Sequence, residues 1–135
     1  MSETKKTPSK PGGFESYRKT DVLTANRETI LLMMYAGAMR FIRQAKEAPE
    51  VLERTRLVGK AQEIISELRS TLNFEAGKEI ATQLDALYGF ILMRLSQGCI
   101  ERKDAPLDEA LTILGTLNEA WEQAVSAVRK EKTGP

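Results

Sequence analysis

The chain has 135 residues, with 20 Lys and Arg against 19 Asp and Glu, and a net charge of +1. A balance this close to zero gives no general electrostatic case for nucleic acid or membrane binding. There is no histidine. That excludes histidine phosphotransfer and Glu-x-x-His di-iron bundles, and argues against ordinary zinc sites and histidine acid–base catalysis.

The length fits one domain with a modest core. Hydrophobic residues make up 41% and aromatics 6%, a composition that suits helices better than a β-sandwich. The single cysteine, Cys99, rules out an internal disulfide. Residues 1–16 hold Pro8, Pro11, Gly12, Gly13 and several lysines with no apolar period, and read as a disordered tail. No apolar run opens the chain as a secretory signal would. Residues 17–25, with Tyr17 and Val22-Leu23-Thr24-Ala25, are apolar but belong to no helical stripe, and are expected to cross a bundle as a strap.

A first helix is predicted over 27–48, with Asn26 as N-cap, Glu28 in the first turn and Pro49 past its end. It carries no charge from Ile30 to Met39, so it needs cover on several sides. That run is too short for a bilayer span, which takes about 20 residues. Met33, Met34, Met39 and Met93 read first as core fillers, with an adaptable recognition surface as the other reading. A second helix is predicted over 50–73 on the stripe Val58, Ala61, Ile64, Ile65, Leu68 and Leu72, with 73–77 as connection. A third follows over 77–101, with Ile80, Leu84, Leu87, Tyr88, Ile91, Leu92 and Leu95 on one side. The fourth starts near Pro106 and runs to about 130, striped by Leu107, Ala110, Leu111, Leu114, Leu117, Trp121, Ala124, Val125 and Val128. Trp121 is expected in the core.

Long helices with short connections imply antiparallel neighbours. The predicted class is all-α: an antiparallel up-down-up-down four-helix bundle over 17–130 with its strap at 17–25, and a C-terminal tail at 131–135. No Gly-rich phosphate loop, calcium loop or activated nucleophile occurs in the sequence. The expectation is a non-enzyme without metal or cofactor, and a cytoplasmic one.

An ordered set of blocks resembles the flagellin export chaperones of the FliS type. They are Tyr17 with Val22-Leu23-Thr24-Ala25, then Met34-Tyr35-Ala36-Gly37-Ala38 with Phe41 and Ala45. Ala61-x-x-Ile64-Ile65-x-Glu67-Leu68 with Leu72-Asn73 comes next, then Glu79-Ile80-Ala81, Leu84 and Leu87-Tyr88. Leu114-x-x-Leu117 and Ala120-Trp121 close the set. Ala36 and Gly89 stand where such chaperones often carry an acid beside a tyrosine. The resemblance implies a chaperone that binds the disordered C-terminal segment of flagellin, prevents its premature polymerisation and hands it to the flagellar export apparatus. It also implies partner contacts on the strap and on the second and third helices, with Tyr35 of the first helix and Phe74 of the connection: Tyr17, Val22, Thr24, Tyr35, Ile65, Leu68, Leu72, Phe74, Ile80, Leu84 and Tyr88. The alternative is a self-associating helical scaffold unrelated to secretion. A monomer and a homodimer are both open for the free protein.

Overall fold

The computed structural model describes the backbone of residues 12–133 and the side chains of residues 27–131. Four helices occupy nearly all of it: α1 Gly12–Glu47, α2 Val51–Ser70, α3 Phe74–Glu101 and α4 Ala105–Thr133. The chain divides into two compact units, Met1–Ile30 and Leu31–Pro135. Residues 12–30 of the first unit have helical backbone.

The second unit holds the core, to which all four helices contribute. Tyr35, Ala38, Met39, Ile42 and Ala45 come from α1, and Leu57, Val58, Ala61, Ile65 and Leu68 from α2. Leu84, Tyr88, Ile91 and Leu95 come from α3, and Leu107, Ala110 and Leu114 from α4. Each set repeats at three and four residues, the spacing that keeps one helix face inward. Arg69 Nε donates to Asp85 at 2.7 Å, and Gln62 Nε2 donates to Ser96 Oγ at 2.9 Å. These links run in opposite order along α2 and α3. The same is true of α1 and α4, where Trp121 meets Tyr35 and Lys46 pairs with Asp108 at 2.5 Å. At the far end Arg54 ties α2 to the α3–α4 turn, donating to Asp104 at 2.8 Å and to the Lys103 carbonyl.

Several boundaries differ from the sequence expectation. The first helix does not begin after Asn26: helical backbone already runs from Gly12. Between Phe14 and Ala36 no glycine or proline interrupts the chain, so a capping asparagine is absorbed at modest cost. The expected tail at 1–16 and strap at 17–25 otherwise fall outside the described side chains. α2 ends at Ser70 rather than 73, because Asn73 starts the next helix: its side chain accepts from the Ala76 amide at 3.0 Å. The connection expected over 73–77 is therefore a helical turn. A break at Lys78, φ 48 and ψ −118, separates that turn from the regular part of α3. α4 continues to Thr133, into the stretch 131–135 expected as a tail.

Candidate partner-binding site

The fold sorts the predicted contact residues into two groups. Tyr35, Ile65, Leu68, Leu84 and Tyr88 are buried in the core. A partner reaches them only if the helices part. Leu72 is half-buried, while Phe74 and Ile80 are exposed. Tyr17, Val22 and Thr24 lie outside the described side chains.

The buried tyrosines form a polar link inside the core. Tyr35 and Tyr88 share a hydroxyl–hydroxyl hydrogen bond of 2.6 Å, and the Trp121 indole N–H donates to the Tyr35 hydroxyl at 3.1 Å. Burial pushes the Tyr35 phenol up, against the smaller opposing effect of its two hydrogen bonds. Tyr88 is pushed up strongly, first by burial and then by its bond to Tyr35. Three helices are thus pinned at one level by neutral groups. Trp121 is half-buried rather than fully buried as expected, because it packs at the margin of the core while its indole nitrogen reaches inward.

Exposed apolar side chains collect elsewhere. On α3, Ala86, Phe90, Met93, Gln97 and Ile100 follow one another at four, three, four and three residues, which places them on one face. Ile100 is 80% exposed. The exposed positions of α3 from Thr82 to Ile100 are Thr82, Gln83, Ala86, Phe90, Met93, Ser96 and Ile100, and none is charged. Arg94, the one cation in that stretch, is held by Glu109 at 2.5 Å and by Gln97. At the Arg54 end of the bundle, Val51 and Leu52 add to the exposed apolar set, Leu52 at 82%. Met33 on α1 is also exposed, so the charge-free run of α1 is covered on its inner side alone. Of Met33, Met34, Met39 and Met93, only Met39 is a core residue; Met34 is half-buried, and Met33 and Met93 are exposed.

The outer row of α3 escapes a reading that seeks one stripe per helix. Its signal is present as a second three-four repeat, offset from Leu84, Tyr88, Ile91 and Leu95. The two positions lacking the expected acids behave differently. Ala36 is exposed. At Gly89 the Arg69 guanidinium lies close over the backbone, where a Cβ would sit 3.1 Å from Nη2. Asp85, one turn before, supplies the carboxylate that Arg69 needs.

Among the described residues there is no cluster of His, Cys, Asp and Glu able to hold a metal, and no helix long and apolar enough to cross a membrane. Four helices around the core of the second unit define an all-α helical bundle protein, with a charge-free apolar row on an outer face of α3. Comparison with known proteins agrees in class and narrows it. Residues 12–128 match the family described as Flagellar protein FliS, and the chain belongs to that family. It is 32% identical over 124 residues to a flagellar secretion chaperone FliS of Bacillus subtilis, covering 90% of this chain and 92% of the relative. It is also 32% identical over 119 residues to the flagellar secretion chaperone FliS of Vibrio cholerae, covering 83% and 88%. A flagellar secretion chaperone FliSB of Pseudomonas aeruginosa is 31% identical over 107 residues, covering 77% and 85%.

Proposed function

We propose that this chain is a cytosolic, non-enzymatic chaperone that binds the disordered C-terminal segment of flagellin, keeps it from polymerising early and delivers it to the export apparatus. Family membership supports the class. The observation that carries the binding mode is the charge-free row Phe90, Met93 and Ile100 on the outer face of α3. A helix of a monomeric bundle needs one apolar face; α3 has two. An amphipathic partner segment docks on such a surface through anchors at helical spacing. Phe74 and Ile80 extend the proposed contact set, and Tyr17, Val22 and Thr24 stay in it. The core tyrosines are reassigned to holding the bundle together.

Calorimetry with a flagellin C-terminal peptide tests this reading. Coupled folding and burial of roughly 1,000–3,000 Å² gives a clearly negative heat-capacity change. No heat at tens of micromolar peptide, or a heat-capacity change near zero, removes the proposal. Deleting residues 1–20 reports the sign of the N-terminal contribution. Tighter binding marks that segment as a competitor for the partner's surface, and weaker binding marks it as a direct contact. The rival reading, a self-associating scaffold, predicts concentration-dependent mass in the free protein and no response to flagellin.

A further inference from the structure

The start of α3 carries two contradictory instructions. Residues 73–77 form an independent helical turn, closed by the Gly77 amide on the Asn73 carbonyl at 2.8 Å and capped by Asn73 Oδ1 on the Ala76 amide. At Lys78 the backbone takes φ 48 and ψ −118, a region that glycine enters freely and a side chain does not. Regular helix resumes at once, and Thr82 Oγ1 bonds the Lys78 carbonyl at 3.2 Å. In this bent arrangement a Cβ on Gly77 would stand 2.9 Å from the Ala81 Cβ. In a straight helix the two positions are one turn apart, with Cβ atoms about 5–6 Å from each other, and any residue fits. Glycine at 77 therefore permits the bend, while lysine at 78 opposes it.

Ile80 shows what the bend leaves unfinished. It is in register with Leu84, Leu87, Tyr88 and Ile91 on the inward side of α3, yet it is 65% exposed. Phe74, on the other side of the break, is exposed as well. Neither residue is on the outer row of Phe90, Met93 and Ile100, so their cover comes from a separate stretch of the partner at the start of α3, and that stretch gains a further turn of contact when residues 74–78 continue the α3 axis.

We propose that Phe74–Lys78 is a built-in hinge, bent in the free chaperone and straightened into α3 when a partner helix covers Phe74 and Ile80. The proposal rests on the flagellin reading for the identity of the partner, but the bent and straight states are properties of this chain alone. The left-handed strain at Lys78 keeps the bent state from being deeply favoured, so cover over two apolar side chains is enough to shift the balance.

Two substitutions push the hinge in opposite directions. Gly77→Ala blocks the bend and favours the straight helix. Lys78→Gly removes the strain and favours the bend. Lys78→Ala, which deletes the charge and keeps the strain, is the control. Spin labels at the exposed positions Glu75 and Gln83, in a Cys99→Ser background, read the state directly. A straight helix separates the two backbones by about 12 Å, and the bend moves them off that separation. Three results are expected. The free wild-type protein and Lys78→Ala give the bent-state distance, and Gly77→Ala moves toward the straight-helix one. Flagellin C-terminal peptide drives wild type to the straight-helix distance. Its affinity rises in Gly77→Ala and falls in Lys78→Gly, each by about fivefold or more, the factor that one strained backbone position commands. Equal distances in free wild type, Gly77→Ala and Lys78→Gly overturn the hinge. Shifted distances with identical affinities overturn its coupling to the partner. If wild type binds no flagellin peptide, the functional reading fails, while the distances in the free variants still decide the hinge.

Discussion

Tyr35 is the most connected polar residue of the core, and its position predicts an order among substitutions. It accepts from Trp121 and forms a hydroxyl–hydroxyl hydrogen bond with Tyr88. Tyr35→Phe leaves both neighbours without that partner and is expected to cost about 2–3 kcal/mol in denaturant unfolding. Tyr88→Phe keeps the indole bond and should cost about 1 kcal/mol. Both phenols have raised folded values, so the neutral forms favour the fold. The stability they contribute is complete below the unfolded tyrosine value, about 10, and is lost as pH rises beyond it. Their phenolate absorbance is therefore expected to appear together with loss of helical circular dichroism. A phenolate signal from these tyrosines in a fully helical protein contradicts the buried pair. Gly98 makes a second point at this scale. A Cβ there would lie 2.7 Å from Leu107 Cδ2, where α3 meets α4, so Gly98→Ala should destabilise by about 1–3 kcal/mol.

At the scale of elements, α2 and α3 show which local choices are replaceable. Gly59 sits inside α2 with no neighbouring atom within 4 Å of where a Cβ would stand, so Gly59→Ala should stabilise by about 1 kcal/mol in thermal or denaturant unfolding. The Arg69–Asp85 pair fastens α2 to α3 from the surface. The hydrogen bond and charge of Arg69 hold the Asp85 carboxyl below its ordinary range. Its contribution is present above the ordinary carboxylate value and is lost as pH falls through the depressed folded one. Asp85→Asn should thus lose a small increment of stability at neutral pH and none in strong acid; an equal loss at both pH values would show that packing, not charge, is at work. The second helix, the body of the third and the fourth are legible from their stripes, because burial on one side imposes the period. The start of α1 is not. A capping residue names a site where a helix can begin, and only competition with the preceding chain decides whether it does.

For the whole molecule, the informative division is between apolar residues that close the core and those left outside it. Ile65, Leu68 and Leu84 are contact residues by resemblance and core residues in the structure; Phe90, Met93 and Ile100 belong to none of the resembling blocks and are exposed. The double substitution Phe90→Ser and Met93→Ser should cost only about 1–3 kcal/mol in all, because Phe90 is 37% and Met93 48% exposed. It should also weaken the binding of flagellin C-terminal peptide tenfold or more. Ile65→Ser is the converse case, with a large loss of stability and weaker binding only as a consequence. Retained affinity in the folded Phe90/Met93 variant would move the binding surface off the outer face of α3.

The sequence by itself determined the all-α class, the family and most of the inward stripes. Each depends on local periodicity and on the order of blocks along the chain, and both can be read in one dimension. Tertiary structure decided which of two apolar faces of α3 is spent on the core. It also decided that Trp121 stays at the core's margin, and that the Arg69 guanidinium lies over Gly89 with Asp85 as its partner. It put the break at Lys78 rather than at its glycine neighbour. These outcomes depend on how far each helix extends past its neighbours and on what stands opposite each side chain, and periodicity carries no information about either.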